Sequence, residues 1–239
     1  MKAVQRWLAR RGYTLTTTAE LPAVAATTFL RDLFSSIDFD LVIDVGGNRG
    51  QFRRVVREEL RYQGPGISFE PVPRYAAELS VAAESDPTWA VEAVALGDRD
   101  GMKTLNVDGQ LSSFLRPDHT HTALLVREDP PQETAEVPVR RLESYVPKTA
   151  SRVFLKTDTQ GYDLNVLRGA AGSIDSVAAI MIELSFLPIY EGQPTATEVS
   201  TYVQSLGFRL AGIFRNNQVG YPDLMIEGDG VFVRNNVSA

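Results

Sequence analysis

The chain has no cysteine among its 239 residues, which excludes disulfides, thiolate nucleophiles and cysteine-based zinc sites. Its fold therefore rests on packing alone. Histidine is nearly absent too: His119 and His121 are the only two, and both fall in one polar stretch. No apolar run approaches the roughly 20 residues that cross a bilayer, and the first residues lack the apolar core and cleavage site of a secretory signal. The expected location is the cytoplasm. Blocks of positive charge are also missing along the middle of the chain. With a net charge of −6, no nucleic-acid partner is expected.

At 44% hydrophobic content the chain supports one sizeable core. Residues 1–40 read as an N-terminal helical capping segment and residues 41–239 as a single domain. The stretch MKAVQRWLARRGYTL carries Lys2, Arg6, Arg10 and Arg11 without an acid, beside Val4, Trp7, Leu8 and Leu15. Such a basic, weakly amphipathic stretch either packs its apolar face on the domain or makes peripheral contact with an anionic membrane surface. Beyond Leu41, strand and helix signals alternate as in a doubly wound α/β fold.

The most informative segment is LVIDVGGNRGQF, residues 41–52. Leu41, Val42 and Ile43 make the apolar, β-branched run of a strand buried on both faces. Asp44 ends it, and Gly46, Gly47 and Gly50 form a turn that opens a helix and lets backbone N–H groups approach a ligand. Phe52, Val55, Val56 and Leu60 recur at helical spacing before Gln63-Gly64-Pro65-Gly66 stops that helix. The next strand runs Ile67 to Phe69 and ends at Glu70. A right-handed crossover sets it beside the first strand, with both acids at the carboxyl edge, where Glu70 suits ribose hydroxyls.

A helix over Tyr75 to Ala83 follows, then a strand over Val91 to Leu96 that ends in the turn Gly97-Asp98-Arg99-Asp100-Gly101. Strands are expected at Lys103 to Val107, Val137 to Leu142, Val153 to Lys156 and Ala179 to Ile182. Thr195 and Glu198 form the capping box of a helix that closes at Gly207. Arg209 to Phe214 and Val231 to Arg234 should form an antiparallel edge. Asp44, Glu70, Asp98, Asp158 and Glu183 thus all fall at the carboxyl ends of strands, where open α/β sheets bind ligands.

The turn separates two cofactor classes. A dinucleotide fingerprint needs G-x-G-x-x-G, and a triphosphate loop needs G-x-x-x-x-G-K-[ST]; neither is present. An acid just before the glycines repels a pyrophosphate but suits a cofactor carrying ammonium and sulfonium charges, such as S-adenosylmethionine. An NAD-dependent oxidoreductase and a non-catalytic nucleotide-binding or partner module remain as alternatives.

Several ordered blocks together, IDVGGNRGQF, FEPVPRYAAEL, VALGDRDG, LSSF, VPVRRLESYV, LKTDTQGYDLNVLRGA and IMIELS, resemble those of FkbM-type S-adenosylmethionine-dependent methyltransferases, a class I family. The resemblance runs from about Leu41 to Phe232. It implies a Rossmann-like sandwich: a mostly parallel seven-stranded sheet with an antiparallel edge and helices on both faces. It further implies O-methylation of a sugar, glycolipid or secondary-metabolite hydroxyl, so that the partner is a small-molecule or glycan acceptor. Asp44, Gly46, Asn48 and Gly50 would hold the methionine moiety, Glu70 the ribose, and Asp98 would sit by the adenine. Gly47, Pro71, Gly97, Ser113, Lys156 and Asp158 complete the cofactor set, with Ser112 beside Ser113 in the family's serine turn. Gly47 stands where the family commonly has alanine and Asp163 where it commonly has glutamate, and Thr157 and Thr159 also depart from its pattern.

Methyl transfer to a hydroxyl needs in-line approach and a base or metal to receive the proton. Asp158 and Glu183, at the ends of neighbouring strands, are the candidate bases and together a tentative magnesium site. Alternatively Asp158 caps the helix near Tyr162, and Glu183 pairs with Lys156 or an arginine. His119 and His121 are further candidate bases, since imidazole titrates near neutrality. Acceptor contacts are expected from residues 116–132 and 187–195, including Tyr190.

Overall fold

The computed structural model describes Tyr13 and residues 16–118, 133–215 and 224–236. His119, His121 and nearly all of the basic N-terminal stretch lie outside the described residues.

In chain order the strands are β1 (Leu41–Val45), β2 (Gly66–Phe69), β3 (Trp89–Glu92), β4 (Ala95–Leu96), β5 (Gly101–Val107), β6 (Glu133–Arg140), β7 (Val153–Thr157), β8 (Val177–Ser185), β9 (Phe208–Arg215) and β10 (Glu227–Arg234). The α-helices are α1 (Leu21–Ser36), α2 (Gln51–Arg54), α3 (Pro73–Ala83), α4 (Asp163–Arg168) and α5 (Ala196–Ser205). Seven strands form one sheet in the order β3-β2-β1-β7-β8-β10-β9, and the remaining three form a small sheet, β4-β6-β5.

The central strands β1, β7 and β8 are buried along their whole length, which explains their near-continuous apolar sequences. Successive side chains serve opposite faces. Ile43, Leu155 and Ile180 join Leu164 and Leu167 of α4 and Val199 and Val203 of α5 in one core. Val42, Phe154 and Ala179 join Leu30 of α1 and Val56 in the other. In that second layer Phe34 of α1 packs its ring on Phe39 and Phe154, at centroid distances of 4.7 and 5.0 Å.

At the edge, β10 runs antiparallel to both β8 and β9, the antiparallel element expected from the last two strands. The apolar Val231-Phe232-Val233 run takes the inner place and β9, whose Arg209 and Leu210 are exposed, takes the rim. The capping box forms as expected: Thr195 Oγ1 accepts from the Glu198 N–H at 3.3 Å and Glu198 Oε2 accepts from the Thr195 N–H at 2.8 Å.

One expected strand divides. The run Val91 to Leu96 leaves the large sheet after Glu92, and Ala95 and Leu96 pair instead with Val139 and Arg140 of β6. The small sheet thereby covers the carboxyl edge of the large one, because Ala95, Leu105, Val137 and Val139 bury their side chains with Val72 and Tyr75. No helix among the described residues is long and apolar enough to cross a membrane.

Candidate active site

A cavity of about 590 Å3 opens between the carboxyl edge of the large sheet and the small sheet. That volume lies within the range of small-molecule sites. Its floor is the glycine turn. The Gly46 and Gly47 N–H groups both donate to the Phe69 carbonyl at 3.0 Å, which fixes the turn to the end of β2. Gly46 has φ +77°, and a Cβ there would lie 2.0 Å from the Asp158 carbonyl oxygen, so only glycine fits. Gly46, Gly47 and Asn48 line the cavity as the sequence suggests.

Glu70 stands at one end. Its two carboxylate oxygens accept the N–H groups of Asn48 and Val72, each at 2.8 Å. Burial pushes its pKa up; these N–H groups and Lys156 oppose that, and the net shift is upward. Each oxygen keeps further acceptor capacity, and Glu70 lines the cavity. Pro71 lies alongside, and Val72, Val94, Leu96, Leu105 and Phe114 make an apolar slot in the cavity wall.

Asp44, expected at the methionine moiety, is fully buried beneath the turn and does not line the cavity. Ser68 Oγ donates to its Oδ2 at 3.0 Å, and Lys156 Nζ lies 3.2 Å from its Oδ1. That lysine also lies 3.6 Å from Asp158 Oδ2 and donates to the Gly46 carbonyl at 3.3 Å. Burial alone pulls the Lys156 pKa down, but Asp44 and Asp158 outweigh it and the net shift is upward, so the ammonium stays charged. Asp44 therefore reaches the cavity only through Lys156 and the turn.

Four further expected contacts are corrected by the geometry. Gly50 lies outside the cavity; it enters α2 at φ +85° and packs against Leu79. Ser113 is buried in a hydrogen bond to the Gln160 carbonyl at 2.7 Å, and its neighbour Ser112 lines the cavity instead. Gly97 packs on Val139 and Tyr162, behind the slot. Asp98 faces a separate cavity beside Arg99, since the division of the expected third strand carries it past the site. Ala95 and Leu96 stand where it was expected.

The opposite end is acidic. Asp158 and Glu183 come from the neighbouring strands β7 and β8, as expected, and the Gln160 amide lies between them. Gln160 Nε2 is 3.0 Å from Asp158 Oδ1 and 3.2 Å from Glu183 Oε2. This corrects the tentative metal site: the carboxylates converge on an N–H donor rather than on a gap for a cation. Among the described residues no group of three or more His, Cys, Asp or Glu is arranged to hold a metal ion. Burial pushes the Glu183 pKa well up, and Asp158, Glu227, Asp163 and Asp229 push it further.

Glu227 and Asp229 were missed by the sequence reading, which starts the last strand at Val231. Gly228 and Gly230 hid the earlier part of β10, where a side chain at Gly230 would strike Leu184. The usable signal was the i, i+2 pair of acids, which a strand turns to one face. Asp229 stands opposite Glu183 across β10 and β8.

A glycine turn, a buried carboxylate and an apolar slot thus meet at the carboxyl edge of a doubly wound sheet, where such folds bind ligands. The chain belongs to the methyltransferase FkbM family: the pattern of the methyltransferase FkbM domain matches residues 44–210. Comparison with curated protein sequences gave no match. Among solved structures, the methyltransferase FkbM from Methylobacillus flagellatus KT is 13% identical with a TM-score of 0.51, over 82% of this chain and 44% of that protein. The magnesium protoporphyrin IX methyltransferase from Synechocystis PCC 6803, solved with bound S-adenosylmethionine, is 9% identical with a TM-score of 0.48, over 98% of this chain and 91% of that one. This chain thus spans less than half of the Methylobacillus protein, and the likeness is one of fold.

Proposed function

We propose that the chain transfers a methyl group from S-adenosylmethionine to a hydroxyl of a sugar, glycolipid or secondary metabolite, with Asp158 as the base. The observation that carries this reading is one cavity with two chemically distinct ends, Glu70 at one and the Asp158–Glu183 pair at the other. S-adenosylmethionine suits this donor set: Glu70 would hold the ribose hydroxyls, the apolar slot the adenine, and the turn with Lys156 the polar methionine end. When bound, it supplies an electrophilic methyl group.

The chain's own residues supply position and a proton acceptor. The side chain of Asp158 is 39% exposed and reaches the cavity, whereas the Glu183 residue is 7% exposed. Asp158 is therefore placed to accept the acceptor's O–H and to take its proton as the oxygen becomes acidic. Glu183, Glu227 and Asp229 line the same end, and Lys156 is occupied by Asp44. Such a wall repels phosphorylated or carboxylated acceptors and suits a neutral polyol. The test is transfer of labelled methyl to a panel of glycans, glycolipids and hydroxylated metabolites, with amines as controls. Wild-type transfer to a hydroxyl, lost in Asp158→Asn with cofactor binding kept, supports the reading. Transfer to amines alone, or an Asp158→Asn variant at wild-type rate, would contradict it.

A further inference from the structure

Gln160 joins three parts of the site. Its residue is 7% exposed and its backbone is held at φ +51°, a left-handed conformation that non-glycine residues rarely adopt. Ser113 Oγ donates to its carbonyl at 2.7 Å and helps to fix that conformation. The side-chain amide is used at both ends. One N–H serves each of the two carboxylates described above, and the carbonyl Oε1 accepts from Tyr190 Oη at 3.0 Å. Tyr190 also lies 3.0 Å from the Leu111 carbonyl, and Gln193 Oε1 accepts the N–H groups of Ile189 and Tyr190 at 2.8 and 3.2 Å.

A primary amide of this shape fits its slot either way round. Reversed, its carbonyl oxygen would face two carboxylates, which repel it. The carboxylates thus select the orientation with the N–H groups inward, and Oε1 then faces Tyr190 Oη, whose one proton is shared between it and the Leu111 carbonyl. We propose that Gln160, backed by Tyr190, is the positioning residue of the acceptor end: it holds Asp158 and Glu183 at fixed spacing and couples them to the 187–195 segment expected to contact the acceptor. This rests on the methyltransferase reading of the site and assigns its acceptor half.

The consequence is electrostatic as well as geometric. An N–H donated to a carboxylate favours its ionised form and lowers its pKa. Gln160 opposes the burial and like charge that Asp163 of α4 and Glu227 and Asp229 of β10 impose on Glu183, while Lys156 of β7 faces Asp158. Removing the donors therefore raises the titration of Glu183, and its apparent midpoint is the measured quantity.

The experiment is 13C NMR of protein labelled at the Asp and Glu carboxyl carbons, titrated with and without S-adenosylhomocysteine. Resonances are assigned by their loss in Asp158→Asn and Glu183→Gln. Gln160→Met keeps side-chain length without donors, and Tyr190→Phe removes only the hydroxyl. The expected result is a rise of about one pH unit in the Glu183 midpoint for Gln160→Met and a smaller rise for Tyr190→Phe. S-adenosylhomocysteine affinity should remain within about threefold, a change under 0.7 kcal/mol. A Glu183 midpoint that stays unmoved in both variants would overturn the proposal. If Gln160→Met does not fold, Tyr190→Phe decides alone. Failure of wild-type protein to bind S-adenosylhomocysteine would instead contradict the methyltransferase reading, and the ligand-free titration would still decide the role of Gln160.

Discussion

Lys156 Nζ lies 3.2 Å from Asp44 Oδ1, so a charge on β7 neutralises the fully buried carboxylate on β1 beneath the glycine turn. The same ammonium lies 3.6 Å from Asp158. One side chain thus links the floor of the cofactor site to the acceptor end.

That link predicts a stability effect. Lys156→Met leaves Asp44 buried without its counter-ion, which costs about 3 kcal/mol. Urea denaturation should register this as a lower midpoint. The double variant Lys156→Met with Asp44→Asn should recover most of the loss, because no charge remains to be desolvated. A single variant as stable as wild type would contradict the assignment.

The two glycines of the turn should differ sharply on substitution. Gly46→Ala meets the Asp158 backbone at 2.0 Å and a positive φ, so both the turn and cofactor binding should be lost. Gly47→Ala meets the Leu79 Cδ2 at 2.9 Å and the Ser68 Cβ at 3.0 Å, and should cost about 1 kcal/mol as those side chains shift. Thermal unfolding and S-adenosylhomocysteine titration of both variants check the order; equal effects would contradict it.

Glu70→Gln tests the proposed ribose contact. An amide cannot accept both the Asn48 and Val72 N–H groups, so one is left facing an NH2 group. S-adenosylhomocysteine affinity should fall about tenfold or more, a change of about 1.4 kcal/mol. Asp158→Asn should change it by less than about threefold. Comparable losses in both variants would overturn the division between a cofactor end and an acceptor end.

Glu183 predicts a pH dependence of stability. Its folded pKa is raised well above 4.5, by burial first and by neighbouring acids second. The unfolded chain therefore gives up that proton at lower pH than the folded one. The contribution to stability is complete below about the unfolded value and is lost as pH rises through the folded value. Chemical denaturation across this upward window should show wild-type stability falling with pH, and Glu183→Gln should flatten the slope. An unchanged slope would contradict the shift.

Much of the fold was legible because buried parallel strands need long apolar runs. Leu41 to Ile43, Val153 to Leu155 and Ala179 to Ile182 could be read directly, and Thr195 with Glu198 marked a helix start. The run Val91 to Leu96 was misread as one strand because periodicity does not say which sheet a strand joins, and that error carried Asp98 into the site. Asp44 looked like a ligand contact because its position at the strand end is the same whether it faces a cofactor or a lysine. Only the packing of Lys156 separates the two. Glu227 and Asp229 escaped because Gly228 and Gly230 mimic a loop, whereas close approach of Phe214 and Leu184 demands them.

The central claim is a S-adenosylmethionine site at the glycine turn, and calorimetric titration of the purified protein with S-adenosylmethionine, S-adenosylhomocysteine and NAD tests it most directly. The account predicts micromolar binding of the two sulfur ligands, no heat from NAD, and loss of the signal in Gly46→Ala. Binding of NAD, or folded protein that binds neither sulfur ligand, would contradict it.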